Sequence, residues 1–163
     1  MLQTTTSFVT LIKPWHENIG KRLVKAPKLY FWDVGLASWL LGNRNSGHLA
    51  AHPLRRSLFE NMIIADKIKR ESHRAGGHGF FFYRDNHGQE IDLVMTEGPS
   101  LDLIEIKSGQ TAHPDLWRQM SPIRKALNHP GKDFVVYGGE GQLEILGTKV
   151  FGWKEWMLAD QGD

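Results

Sequence analysis

Tyr83–Gln110, YRDNHGQEIDLVMTEGPSLDLIEIKSGQ, decides the fold of this 163-residue chain. Asp85-Asn86-His87-Gly88 and Glu97-Gly98-Pro99-Ser100 carry turn chemistry. Between them, Gln89–Thr96 alternates, which predicts Glu90, Asp92 and Val94 on one strand face and Ile91, Leu93 and Met95 on the other. Leu101–Lys107 alternates too, with Leu103, Glu105 and Lys107 against Ile104 and Ile106. Phe80–Arg84 is the strand before the first turn. Two short hairpins therefore make a three-stranded antiparallel meander. The second hairpin sets Asp92 beside Glu105, and Lys107 shares the face of Glu105 because strand side chains repeat every second residue.

Helices flank the meander. Pro53–Arg74 reads as the longest, with Pro53 at its first position and Leu54, Leu58, Met62, Ala65 and Ile68 as its apolar stripe. Glu60 lies inside that stretch, where a carboxylate needs a partner or a metal. On the other side, Pro114–Leu127 forms a helix with Leu116, Met120, Ile123 and Leu127 inward and Pro122 as a kink. Asp133–Tyr137 follows as a buried strand, parallel to Leu101–Lys107 by a right-handed crossover. Leu143–Leu146 and Thr148–Phe151 are weaker strands, and Gly152–Leu158 is a terminal cap or short helix.

Upstream, Phe8–Trp15 is a strand and Lys21–Val24 its return, a small basic hairpin. Lys28–Gly42 gives a strand and then a helix, with Asp33 as N-cap, Gly42 as stop, and Leu36, Trp39 and Leu40 on one face. Tyr30, Phe31 and Trp32 read as core aromatics, and Asn43–Ala51 as a polar loop. The fold class is α/β (α+β), in the order helix, three strands, helix, strand. The chain divides at residue 28 into the basic hairpin (1–28) and the main domain (29–163).

Composition narrows the function classes. Hydrophobic residues at 40% and charged residues at 23% suit a single domain with a packed core. No apolar run is long enough to span a membrane, and no secretory signal opens the chain, so a cytoplasmic protein is expected. With 0 cysteines, disulfides and thiolate metal sites are excluded. Net charge is only +2, but Lys13, Lys21, Arg22, Lys25 and Lys28 crowd the first 28 residues against Glu17 alone. A basic segment suits an anionic partner, DNA or RNA, and Lys21, Arg22 and Lys25 are its candidate contacts. A plain solvated surface is the alternative.

The acids suit phosphodiester chemistry. Two or three carboxylates hold Mg²⁺ or Mn²⁺ through oxygen, and such an ion acidifies water and offsets phosphate charge. Asp92, Glu105 and Glu60 are the candidate ligands, and Lys107 would orient the nucleophile or neutralise the phosphate. A half-buried salt-bridged network of the same residues is the competing reading. His48 and His52 fall in the polar loop, and His73, His78 and His87 lack zinc spacing.

Asp92…Glu105-Ile106-Lys107 in this element order resembles the PD-(D/E)XK restriction-endonuclease-like superfamily. The resemblance implies that Asp92 and Glu105 are the paired acids, Lys107 the catalytic lysine and Glu60 the acid on the first core helix. Gln119 would match the glutamine of the RecB-like branch. Ile91 stands where that family often has proline. Across nearly the whole chain, Lys28-Leu29-Tyr30-Phe31-Trp32-Asp33-Val34-Gly35-Leu36, Leu58-Phe59-Glu60-Asn61, Phe82-Tyr83-Arg84-Asp85, Gly88-Gln89-Glu90-Ile91-Asp92 and Glu105-Ile106-Lys107-Ser108-Gly109 resemble the C-terminal domain of unknown function of prokaryotic AAA+-type ATPases. That resemblance implies an upstream ATPase partner and makes segment 1–28 the tail of a winged helix. No P-loop occurs here, so ATP has no site of that kind in this chain. Arg56 replaces a glycine usual in that family, which implies an added phosphate contact. Two further expectations stand beside a nuclease: an inactive nuclease-like module that targets an ATPase to DNA or a partner protein, and an oligomerisation domain using Trp153 and Trp156.

Overall fold

The structure, a computed structural model, describes residues 8–16, 26–72 and 78–159. Eight strands form one mixed sheet: β1 Val9–Pro14, β2 Lys28–Phe31, β3 Gly79–Arg84, β4 Glu90–Glu97, β5 Ser100–Lys107, β6 Asp133–Tyr137, β7 Gln142–Ile145 and β8 Thr148–Gly152. Their order across the sheet is β2-β1-β3-β4-β5-β6-β8-β7. The meander is present, β3–β4 and β4–β5 both antiparallel. β6 runs parallel to β5, and β8 parallel to β6. The helices are α1 Val34–Leu40, α2 Ser46–Ala51, α3 Arg55–Ser72, α4 Asp115–Arg118, α5 Met120–Leu127 and α6 Trp153–Leu158.

Each face of the sheet is covered. Ile63, Ile64 and Ile68 of α3 and Trp156 of α6 pack with Phe82, Leu93, Met95, Ile104 and Ile106. On the opposite face Met120, Ile123 and Leu127 of α5 pack with Ile91, Val94, Leu101, Leu103 and Val135. The fold is thus a mixed sheet between helices, as the alternating strands and periodic helices require. Among the described residues no helix is long and apolar enough to cross a membrane.

Several local expectations need correction. The partner of β1 is β2, antiparallel, and β1 also joins β3 in parallel. The expected return strand at Lys21–Val24 lies outside the described residues, as does His73. Helix α3 starts at Arg55, not Pro53, because the Leu54 carbonyl accepts the first helical bond, from Leu58. Leu54 is accordingly exposed, and the buried stripe begins at Leu58. Residues 46–51 are helical because Asn45 caps them, its side chain accepting the His48 N–H at 2.9 Å. In α1, Asp33 caps as expected, but Trp39 and Leu40 are 57% and 59% exposed and Ala37 is the buried residue. Pro122 splits the expected helix into α4 and α5, with the break at Gln119. Trp156 is 0% exposed and serves the core, so it is no part of an oligomer surface.

The correction that matters most is in β4. Tyr83 pairs with Ile91 but Phe81 pairs with Val94, so β4 holds one residue more than β3 across this step. This bulge shifts the alternation. Ile91 packs with the α5 face while Leu93 and Met95 pack with the α3 face. Strict alternation had put all three together.

Candidate active site

The site lies where β4 and β5 part. Their pairing runs from Glu97–Ser100 to Leu93–Ile104 and stops there. Beyond it, the Asp92 carboxylate takes over as acceptor, with the Ile106 N–H donating to Oδ2 at 2.8 Å. The bulge frees Asp92 for this role, because the residue is no longer held in a regular pair. Glu105 sits on the neighbouring strand, its side chain almost wholly buried. Lys107 Nζ and Gln119 Nε2, the latter at 2.9 Å, both donate to Glu105 Oε1. Glu105 Oε2 is buried and accepts no hydrogen bond. Gln119 reaches this acid because the helix breaks at its position.

Glu60 faces another group of partners. Tyr30 Oη donates to Glu60 Oε1 at 2.7 Å, and Lys28 Nζ lies 3.3 Å from the same oxygen. Lys28 also pairs with Glu90 and stands 3.8 Å from Asp92 Oδ1. Arg84 pairs with Glu90 from the outer side. Asn61, buried one residue beyond Glu60, accepts from Phe31 N at 2.8 Å and donates to Phe31 O at 2.7 Å. This side chain clamps β2 to α3 as a strand partner would, and so fixes Lys28 and Tyr30 against Glu60. An open cleft of about 600 Å³ runs past Lys28, Tyr30, Glu60, Arg84 and Glu90.

Electrostatics couple the two groups. Burial, with Glu105 and Glu60 nearby, pushes the Asp92 carboxyl up to about 7, although the Ile106 N–H and Lys28 pull it down. Burial also raises Glu105, against the opposing effects of Lys107 and Gln119. Burial works against the charge on Lys28, yet Glu60, Glu90 and Asp92 together more than offset it and hold its pKa above the usual lysine value. Glu90 is also penalised by burial, but its bonds to Lys28 and Arg84 prevail and keep it below the usual carboxylate range. Burial and Glu60 raise Tyr30, so the phenol keeps its proton and stays a donor.

The structure therefore brings Asp92, Glu105, Lys107 and Gln119 together, and sets Glu60 across the Lys28 cluster from them. Among the described residues no three acidic or histidine side chains converge on one cation position. Arg56 is exposed one turn before Glu60 on α3. Lys21, Arg22 and Lys25 lie outside the described residues. Sequence reasoning missed the placement of Lys28 and Tyr30, counting one as general basic charge and the other as core. Their spacing was the available signal: positions 28 and 30 share a strand face, and exposed Leu29 takes the other.

Residues 56–156 match the domain of unknown function DUF4143. Residues 2–47 match a second domain of unknown function, DUF8612. Among curated proteins, the chain is 26% identical over 147 residues to an uncharacterized protein of Mycobacterium tuberculosis and, equally, to one of Mycobacterium bovis. Each alignment covers 90% of this chain and 32% of the relative. The chain thus spans about a third of the length of the curated relatives it matches.

Proposed function

The chain belongs to the DUF4143 family, and from that premise we propose that it is a nucleic-acid-associated domain whose site is a metal-dependent phosphodiesterase. One observation carries the reading. The buried Glu105 keeps one carboxylate oxygen unpartnered beside Asp92, whose own carboxyl is raised by burial and by Glu105. Two buried acids in this condition suit a divalent cation, which relieves both the orphaned oxygen and the mutual repulsion. Asp92 and Glu105 would hold Mg²⁺ or Mn²⁺; the ion would supply an acidified water and offset charge on the phosphate.

The chain's own residues supply the rest. Lys107, tethered to Glu105, presents its ammonium to a phosphate oxygen or the attacking water. Gln119 orients Glu105 through its amide. Ile106 N–H holds the Asp92 carboxylate in place. Arg56 and the basic residues Lys21, Arg22 and Lys25 contact the backbone of the polymer, by charge without sequence preference. The motifs also support an upstream ATPase in a longer cytoplasmic protein, consistent with relatives about three times as long.

The test is incubation with linear and plasmid DNA and with RNA, in Mg²⁺, Mn²⁺ or chelator. Cation-dependent cleavage that Lys107→Ala abolishes is expected. No cleavage by the wild type, or equal cleavage by Lys107→Ala, removes the enzymatic reading.

A second reading draws on the Lys28 cluster. Its ammonium already neutralises much of the acidic charge of Glu60 and Glu90, as in a module that binds without turnover. Such a module would bind nucleic acid in a salt-dependent way that survives Asp92→Ala and weakens on loss of Lys21 and Arg22.

A further inference from the structure

Asp92 has two sides. Its Oδ2 accepts the Ile106 N–H and its carboxyl adjoins Glu105, while its Oδ1 faces Lys28 at 3.8 Å. On the Lys28 side, Glu60, Glu90 and Asp92 surround one ammonium group. Three carboxylates from three separate elements, α3 and two positions of β4 met by β2, are a donor set of the hard-oxygen kind that divalent cations take. The ammonium is the cation observed there. Tyr30 fixes Glu60 from behind, and the Asn61 clamp on Phe31 fixes the strand that carries Lys28. Lys28 is mostly buried, with its ammonium over the Phe82 ring at 5.3 Å. The side chain is thus a built-in part of the site, unlike a surface lysine that has swung onto an acid.

The other side of Asp92 is different. There the Glu105 Oε2 atom is buried and unpartnered, and the nearby ammonium of Lys107 is bound to the opposite oxygen. One flank of Asp92 therefore carries a covalently tethered cation, and the other carries an unsatisfied acceptor.

We propose that Lys28 fills the second of two cation positions flanking Asp92, so that the site takes one divalent ion and uses the Lys28 ammonium in place of another. Two-metal phosphodiesterases place their ions about 3.5–4 Å apart around a shared carboxylate, and each ion offsets charge on one side of the phosphate. A lysine in the second position supplies charge but acidifies no water. It also makes the site independent of a weakly held second ion. The ammonium opens onto the 600 Å³ cleft, where it would meet a non-bridging oxygen of the phosphate. This inference rests on the phosphodiesterase reading for its role, but the site it describes is testable without turnover.

The experiment counts Mn²⁺ bound per chain, by titration calorimetry and by the loss of the free-ion electron paramagnetic signal. The proteins compared are wild type, Lys28→Met, Lys28→Arg and Lys28→Met/Glu90→Gln. Lys28→Met should bind one Mn²⁺ more than the wild type. Lys28→Arg, which keeps the charge, should match the wild type. Removing a donor in Lys28→Met/Glu90→Gln should abolish the extra ion. Equal counts in wild type and Lys28→Met overturn the inference. If Lys28→Met does not fold, Lys28→Gln, which keeps a donor toward Glu90, makes the same comparison. The wild-type count speaks to a separate matter: a wild type that binds no Mn²⁺ removes the metal-dependent reading, while the difference between the proteins still decides the role of Lys28.

Discussion

The Ile106 N–H donates to Asp92 Oδ2 at 2.8 Å, where β4 has ceased to pair with β5. A side chain thus takes the place of a strand. The exchange leaves the acid desolvated and close to Glu105, and much of the chemistry of the site depends on that position.

The raised Asp92 carboxyl makes stability fall with pH. Between 3.8, its ordinary value, and about 7, the folded chain keeps a proton that the unfolded chain releases. The folded state binds more protons in that window, so stability declines as pH rises through it and levels off above. Asp92→Asn should abolish this slope and melt higher than the wild type at pH 8, by about 1–3 kcal/mol of stability. Thermal melts at pH 5 and pH 8 check it; an unchanged gap between the two proteins would contradict the assignment. Mn²⁺ at pH 8 should raise the melting temperature of the wild type more than that of Asp92→Asn.

Gln119→Ala should leave the fold intact and reduce cleavage about tenfold, since it removes one hydrogen bond of about 1 kcal/mol from Glu105. Gln119→Glu should be worse, because it sets a second acid against Glu105. Single-turnover rates at saturating cation would separate this from weakened cation binding.

Asn61→Leu should cost about 2–3 kcal/mol, because it leaves the N–H and C=O of Phe31 without their side-chain partner. Hydrogen exchange should then rise along Lys28–Phe31 before it rises in β4 or β5. Uniform acceleration across the sheet would show that Asn61 is not a local clamp.

Gly138→Ala should disturb the loop after Lys107. Gly138 N donates to the Lys107 and Gly109 carbonyls at 3.0 and 2.9 Å. A Cβ there would meet the Ser108 carbonyl oxygen at 2.7 Å, so one backbone must move. A loss of about 1–3 kcal/mol is expected. Cleavage should fall further than in a substitution of equal stability cost made in α5. Equal activity at equal stability would show that the loop does not position Lys107.

The sequence by itself determined the parts that depend on neighbours in the chain. Turn residues at 85–88 and 97–100 set the meander, and period-two alternation marked β5. Asp33 and Gly42 bounded α1, the latter with φ of 87°. Pro122 interrupted its helix, as a residue without an N–H must. The mixed sheet between helices and the residue types of the site were legible on the same grounds. The pairing of Asp92 with Glu105 followed from hairpin geometry, and Gln119 entered through a family motif that the helix break made workable.

Only the tertiary structure decided the partners of Glu60. Lys28 lies 32 residues away from it in the chain, and no periodicity links β2 to α3. Their meeting depends on the Asn61 clamp and on β2 pairing with β1 at the sheet edge. The bulge in β4 was equally hidden, because one extra residue is visible only against the partner strand. Local sequence encodes dihedral preference and alternation. Which charges share a desolvated site is settled by where the folded elements cross.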